Sequence, residues 1–488
     1  MLSFKELRFD QSYGRLPSAF YQNIAPGKID HPYLISVNDD VANLINLDAN
    51  DRKSLDFVQL ISGQKLIPGT KPLSAIYAGY DFGQFITTQK GNGRSISLGE
   101  AVNEDGSRWE IQLKGSHAEF FSRVGDGRTM LRTAIREFLC SELMHKIGIP
   151  TTRSLCITGF TKQIPDEMLE PSAALTRIAP THVRFGTFEY FHHSKQRNHI
   201  RTLADYLLNY YFKEIDSKLP NKYEQLFRKI IVNTAQLVAK WQATGFTHGI
   251  MNTDNMSVMG LTMDYSHFGF LDKYNPNYVS NGEDIEGRYR FKQQPKIALW
   301  NLSRLAEPFT ALISVNVAKE LLEKFDSVYA SNYIHLMLQK TGLVKNCQHN
   351  ILLIQQILEL IEQDEVDYTL FFRRLSEFDY ITHTNNVVRG LFTHREAFDS
   401  WAYQYAVQLR AEKVSPEKRK EKMDRINPKY ILRNNFLERA VERAETGDLS
   451  EIDKLKQILS NPFDEQVEHA NYAQLPPDWE QVQVDEVY

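Results

Sequence analysis

Cysteine is scarce in this chain of 488 residues: Cys140, Cys156 and Cys347 stand far apart, and no CxxC pair occurs. An odd, scattered set argues against a disulfide framework and a Cys-rich metal site, and fits small core thiols in a reducing compartment. Long apolar runs are lacking too. No stretch approaches the ~18 consecutive apolar residues that span a bilayer, so no membrane partner is expected. Neither charge sign dominates: 57 Lys+Arg face 61 Asp+Glu, for a net charge of −4. That balance gives no global reason for binding nucleic acid. The start, MLSFKELRFDQSYG, has no apolar core followed by small residues and mixes acids with its bases. It reads as neither a secretory signal nor a transit peptide, and cytoplasm is the expected compartment. Repeats and low-complexity segments are missing as well. What remains is an ordinary globular composition, 42% hydrophobic and 24% charged, in a chain long enough for two or three lobes.

Residues 1 to 70 read as an irregular lead-in, punctuated by Pro17, Pro26, Pro32 and Pro68, with a short helix over Val41 to Leu47. From Ile76 the pattern turns to strands and turns. Trp109 to Lys114 (WEIQLK) alternates inward and outward, and Lys114 closes the strand. Gly91-Asn92-Gly93 is a hairpin signal on steric grounds. Its other reading is a turn whose backbone N–H groups approach a phosphate, with Arg94 beside it, although the spacing falls short of GxGxxG. The loop SRVGDGR then leads into a helix from Thr129 to Lys146, with Leu131, Ala134, Ile135, Phe138, Leu139 and Leu143 as its apolar stripe. Glu137 lies on the flank of that stripe. A partly buried carboxylate needs a cationic partner, which Lys114 or a nearby arginine could supply.

Arg177 and Arg184 stand on either side of Pro180, which favours an extended–turn–extended segment over a helix. Two such arginines are either surface groups or, pointing into a cleft, planar forks for phosphate oxygens. Beyond about residue 190 the helical period dominates, including Tyr223 to Trp241, Val315 to Leu338 and Ile351 to Gln363, and predicts a mostly α second lobe. The charged run 412–425 reads as a solvated helix face.

The most informative stretch is GFTHGIMNTDNMSVMGLTMDYSHFGFLD, from Gly245 to Asp272. Gly245 is a helix stop. Two apolar runs, Met256 to Val258 and Leu261 to Met263, flank Gly260 as the strands of a tight hairpin would. Such a hairpin brings Asp254 and Asn255 near Asp264. Those residues are either turn residues capping backbone N–H groups or hard oxygen ligands of the kind Mg²⁺ takes beside phosphate. A strand lysine, a helix glutamate and an acidic metal turn are together the parts of a kinase-like phosphotransfer site.

With these residues in view, the chain resembles the selenoprotein O family of protein AMP-transferases over nearly its whole length. The likeness is carried in order by FDQSYGRLPSAFY, YAGYDFG, QKGNGRSISLGE, WEIQLKG, SRVGDGR, LRTAIREFLCSE, LTRIAPTHVRFGTFE, THGIMNTDNMSVMGLTMDY, FGFLD, GRYRFKQQP and LPPDW. The resemblance implies an α+β, bilobal, protein-kinase-like fold with a β-rich N-lobe and a mostly α-helical C-lobe. Its parts would be an N-terminal extension (1–70), the N-lobe (71–190), the C-lobe carrying the catalytic hairpin (191–460) and a tail (461–488). It implies transfer of AMP from ATP to Ser, Thr or Tyr hydroxyls of proteins, itself included, with pyrophosphate released and with ATP reversed relative to ordinary kinases. The cofactors implied are ATP and Mg²⁺, with Mn²⁺ and UTP as alternatives, and a monomer is expected. By position, Gly91, Gly93 and Arg94 match the family's nucleotide turn, and Asp126 and Gly127 the Asp-Gly of its pocket. Lys114 matches the phosphate lysine, Glu137 the glutamate that positions it, and Arg177 and Arg184 the phosphate arginines. Asp254 matches the general base, and Asn255 and Asp264 the metal ligands.

There are departures. Tyr80-Asp81 replaces a usual His-Gln, Asn92 a usual Asp, and Ser280 stands where the family's loop cysteine is expected, with no cysteine after Cys347. The family's redox disulfide is therefore not expected here. Two other readings are an ordinary kinase and a non-catalytic ATP-binding scaffold. Against the first, Asp254 and Asn255 are adjacent, whereas a kinase separates its base and Asn by about four residues. Asp264 also begins Asp-Tyr-Ser instead of Asp-Phe-Gly. Against the second, none of the five key residues is lost.

Overall fold

The strand Arg108–Lys114 sorts its side chains to two faces, as a period of two demands. Ile111 and Leu113 are fully buried, and Glu110, Gln112 and Lys114 take the opposite face. The computed structural model describes residues 1–27, 31–67, 69–90, 95–115, 127–163, 169–381 and 385–475. Its strands are β1 (Phe9–Asp10), β2 (Tyr21–Asn23), β3 (Tyr33–Val37), β4 (Leu73–Ala75), β5 (Tyr77–Asp81), β6 (Gln84–Lys90), β7 (Ser95–Val102), β8 (Arg108–Lys114), β9 (Arg153–Gln163), β10 (Leu169–Ala179), β11 (Phe246–Thr247) and β12 (Gly269–Phe270). An antiparallel sheet runs β2-β4-β7-β8-β10-β9-β3, with β1 added to β7. Strands β5 and β6 form a separate hairpin, and β11 and β12 a short ribbon.

The helices are α1 (Asp39–Leu44), α2 (Leu55–Ile61), α3 (Gly127–Lys146), α4 (Phe185–His193), α5 (Arg197–Tyr210), α6 (Lys222–Thr244), α7 (Gln294–Phe309), α8 (Val315–Leu322), α9 (Lys324–Thr341), α10 (Gln348–Gln363), α11 (Tyr368–Leu375), α12 (Asn386–Arg389), α13 (Arg395–Glu412), α14 (Pro416–Asp424), α15 (Asn434–Glu445) and α16 (Ser450–Ser460). The fold is thus a mixed one, an antiparallel sheet followed by a helical remainder. Among the described residues no helix is long and apolar enough to cross a membrane.

Ile111 and Leu113 pack with Ile96 and Leu98 of β7 and Ile178 of β10 against Phe4, Val41, Phe57 and Leu60. The first 70 residues are therefore more than a lead-in. Strands β1, β2 and β3 extend the sheet, and α1 and α2 cover its apolar face. These strands are two to five residues long, too short for alternation to declare them. On the other face lies α3, where Ile135, Phe138 and Leu139 meet Ile157 and Leu175.

Two further expectations need correction. The segment after Pro180 is not extended throughout, because Phe185, Phe188 and Phe191 bury one helical face of α4. The expected helix 315–338 is broken at Glu323 into α8 and α9. The charged run does form α14, but its Arg419 is 1% exposed. There it donates to the carbonyls of Leu375 at 3.2 Å and Ser376 at 3.1 Å, satisfying the open end of α11. The stop at Gly245 is as expected: it caps α6 with φ +77°.

Candidate active site

Cross-strand register builds the cationic side of the site. In the β8–β10 ladder Arg177 sits opposite Gln112, and Leu175 opposite Lys114, so Arg177 shares a face with Gln112 and Lys114. Arg177 donates through Nε and Nη2 to Gln112 Oε1 (2.9 and 2.7 Å) and through Nη1 to Glu137 Oε1 (2.7 Å) and Asp264 Oδ1 (2.9 Å). Lys114 Nζ donates to Glu137 Oε2 (2.7 Å) and Asp264 Oδ1 (2.8 Å). Arg184 Nη1 donates to the Asp254 carbonyl (2.6 Å) and to Asp264 Oδ2 (3.2 Å), with its guanidinium 4.4 Å from the Tyr77 ring centre. The expected partner of Glu137 is therefore both Lys114 and Arg177. Burial pushes the Glu137 carboxyl up, but the two cations outweigh it and hold it below the usual glutamate range. Burial likewise works against the Arg177 charge, and Asp264 and Glu137 overcome it to raise its pKa.

Here three cations meet two carboxylates, with every member less than a tenth exposed. Buried cations gathered on one face of a sheet offer the charge and the planar forks that polyphosphate oxygens take.

The segment from Asn252 to Asp264 differs from the hairpin its sequence suggests. A turn does close at Gly260 (φ +71°), whose N–H donates to Ser257 O. However, the two flanking runs do not pair with each other. Ser257 bridges Arg184, and Thr262 bridges Thr151. The competing partners are segments distant in the chain, which a local turn signal cannot reveal. Asp264 is nonetheless brought to Arg184, which also donates to the Asp254 carbonyl. Its φ of +64° is a left-handed conformation that Asp adopts more readily than most residues. Asn255 Nδ2 donates to Ile250 O at 3.1 Å, which fixes the carboxamide.

Asp254 is 7% exposed and packs beneath β5. A Cβ on Gly79 would lie 2.9 Å from Asp254 Oδ1, and one on Gly186 would lie 1.9 Å from Ala78 O. Both glycines are thus required by close approach. Immediately before Asp254, Asn252 and Thr253 hold the β5–β6 hairpin. Asn252 Nδ2 donates to Asp81 Oδ1 at 2.6 Å, and Thr253 Oγ1 accepts from Tyr80 N at 2.8 Å.

Of the other residues singled out, Gly91, Gly93, Arg94 and Asp126 lie outside the described residues, and Gly127 opens α3. Gln112, Thr253 and Glu189 were not singled out in sequence. The alternation in WEIQLK does put Gln112 on the face of Lys114, a signal that could have found it. Ser280 is buried where the family's loop cysteine is expected. Among the described residues no three His, Cys, Asp or Glu side chains converge as a metal site. One carboxylate and one carboxamide are oxygen donors of the kind Mg²⁺ takes when phosphate and water supply the remaining ligands, and Asp264 and Asn255 carry donors of that chemistry.

A buried cluster of three cations and two carboxylates on a sheet, beside an acid-bearing turn, has the chemistry that suits phosphate oxygens. The family model described as protein adenylyltransferase SelO matches residues 3–460. The chain is also 43% identical over 481 residues to the protein nucleotidyltransferase YdiU of Thiobacillus denitrificans, covering 98% of each. It is 41% identical over 480 residues to the YdiU of Myxococcus xanthus, again with 98% of each covered. The identity is 40% over 480 residues for the YdiU of Pseudomonas putida strain GB-1, with the same coverage. The chain belongs to the SelO family of protein adenylyltransferases, and is an enzyme of the nucleotidyltransferase class.

Proposed function

We propose that this chain transfers AMP from ATP to Ser, Thr or Tyr hydroxyls of proteins, itself included, and releases pyrophosphate. The observation that carries this reading is the shared cluster of Lys114, Glu137, Arg177, Arg184 and Asp264, in a chain of that family. Lys114, Arg177 and Arg184 hold the triphosphate, and Glu137 orients Lys114. The acceptor oxygen attacks the α-phosphorus, the bond from that phosphorus to the bridging oxygen breaks, and its electron pair leaves with pyrophosphate. Such a displacement needs charge neutralised and the acceptor oriented more than it needs covalent help. Asp254 takes the acceptor's proton. Asn255 and Asp264 would hold Mg²⁺, or Mn²⁺, which when bound supplies further neutralisation of the phosphates. Gly91, Gly93, Arg94, Asp126 and Gly127 complete the nucleotide pocket. The kinase-like bilobal division at about residue 190 belongs to the same reading, as do cytoplasmic placement and a monomeric state.

The test is intact-mass spectrometry after incubation with ATP and Mg²⁺, with and without lysate proteins. A gain of one AMP on the chain or on acceptors is expected. A phosphate-sized gain would make it a kinase, and no gain an ATP-binding scaffold. Asp254→Ala should abolish transfer while sparing ATP binding, and retained activity would remove Asp254 from the mechanism.

A further inference from the structure

Glu189 is an acid that the reading above leaves unused. It lies in α4, is 1% exposed, and accepts from Thr253 Oγ1 at 2.5 Å through Oε2. Its other oxygen is buried and, among the described residues, has no hydrogen-bond partner. The Thr253 hydroxyl is itself shared, since it also accepts from the backbone N–H of Tyr80 at 2.8 Å. One side chain thus joins a helix, the residue before Asp254 and the β5–β6 hairpin. The fit is tight on every side. A Cβ on Gly79 would lie 3.0 Å from Thr253 Oγ1, and one on Gly186 would lie 3.3 Å from Asp254 Cβ.

A fully buried threonine beside the proposed general base needs only one acceptor for its hydroxyl, and a backbone carbonyl would serve. Spending a buried carboxyl there is expensive unless the group is neutral or has a task. We propose that Glu189 is a positioning residue for AMP transfer: through the Thr253 hydroxyl it holds Asp254 and the Tyr80 turn in mutual register. This inference rests on the proposed function.

The surroundings explain why a carboxyl can do this without competing with Asp254. Burial pushes Glu189 up to about 8, against the opposing hydrogen bond from Thr253, and the neighbouring Asp254 charge adds to the rise. Glu307 and Arg304 reach it from α7 with opposite effects. The nearby Tyr80 phenol of β5 and His193 of its own helix are both disfavoured in their charged forms, chiefly by burial. At neutral pH Glu189 is a neutral acid.

The test uses the full chain with α-labelled ATP and Mg²⁺, following label in the chain itself and in a mixed-protein lysate. Glu189→Leu should cut the rate at saturating ATP at least tenfold, with the ATP dissociation constant within twofold of wild type. Glu189→Gln, a neutral acceptor of the same shape, should recover it to within threefold. Thr253→Val should follow the leucine variant and Thr253→Ser the glutamine variant. The wild-type rate should fall above about pH 8, and that alkaline fall should vanish in Glu189→Gln. Melting curves identify any variant that fails to fold, and the threonine pair then decides. A leucine variant as fast as wild type would overturn the inference. So would a glutamine variant as slow as leucine with an equal drop in melting temperature. If wild type incorporates no label, the proposed function fails instead.

Discussion

Lys114 and Arg177 both bind Glu137 and Asp264, yet they are not equivalent. Arg177 is 1% exposed and spends three nitrogens on Gln112, Glu137 and Asp264. Lys114 is a single ammonium at the strand's end, and both of its carboxylates keep an arginine when it is gone. Arg177→Met should therefore destabilise the chain by about 3–5 kcal/mol, the cost of breaking a buried pair from one side. Lys114→Met should cost about 1–3 kcal/mol, the loss of one buried hydrogen-bonded group, while lowering ATP affinity at least tenfold. Guanidinium melts and nucleotide titration check both. The reverse order of stabilities would mean that Lys114, not Arg177, holds the cluster together.

At the scale of elements, the last turn of α9 carries a lysine with no acidic partner among the described residues. The Lys340 ammonium lies 4.4 Å from the Phe372 ring centre and 5.4 Å from that of Tyr368, and burial pushes its pKa down to about 7. The ring faces return part of the lost hydration. An unfolded lysine titrates near 10.4. Between those values the unfolded chain binds more protons than the folded one, so this group makes stability rise with pH from about 7 to 10. The rise is on the order of 4 kcal/mol, at about 1.4 kcal/mol per pH unit. Lys340→Met should flatten it and raise stability most at pH 7. Denaturation midpoints at several pH values, wild type minus variant, isolate the effect from the other lysines.

Elements also decide what could be read in advance. Strand β8, helix α3 and the Gly245 stop were legible because alternation, an apolar stripe and a left-handed cap are local features. The meeting of Lys114 with Glu137 followed from them once a buried carboxylate was required to find a cation. The pairing of Ser257 with Arg184 and of Thr262 with Thr151 was not legible, since each partner lies far along the chain. Nor was the burial of Arg419, whose neighbours in the charged run PEKRKEKMD suggest only solvent.

For the whole molecule, the question is what ties the ends of the chain to the site. Helix α15 returns to α3, where Glu438 binds both Arg132 and, at 3.0 Å, the fully buried Arg136. Arg136 precedes Glu137 and donates to Phe268 O at 3.0 Å, so one residue joins the far end of the chain, the Glu137 helix and the segment after Asp264. Burial already weighs against its charge. Glu438→Leu strands that charge without a counterion and should cost about 3–5 kcal/mol. The exposed pair Arg425–Glu421, at 76% and 62% side-chain exposure, sets the scale. Glu421→Ala should shift stability by no more than about 0.5 kcal/mol. If α15 is integral to one cooperative unit, Glu438→Leu should lower a single transition seen identically by far-UV dichroism and by tryptophan fluorescence. An early transition confined to the C-terminal helices would instead make α15 and α16 a separable clasp, and ATP binding should then survive it.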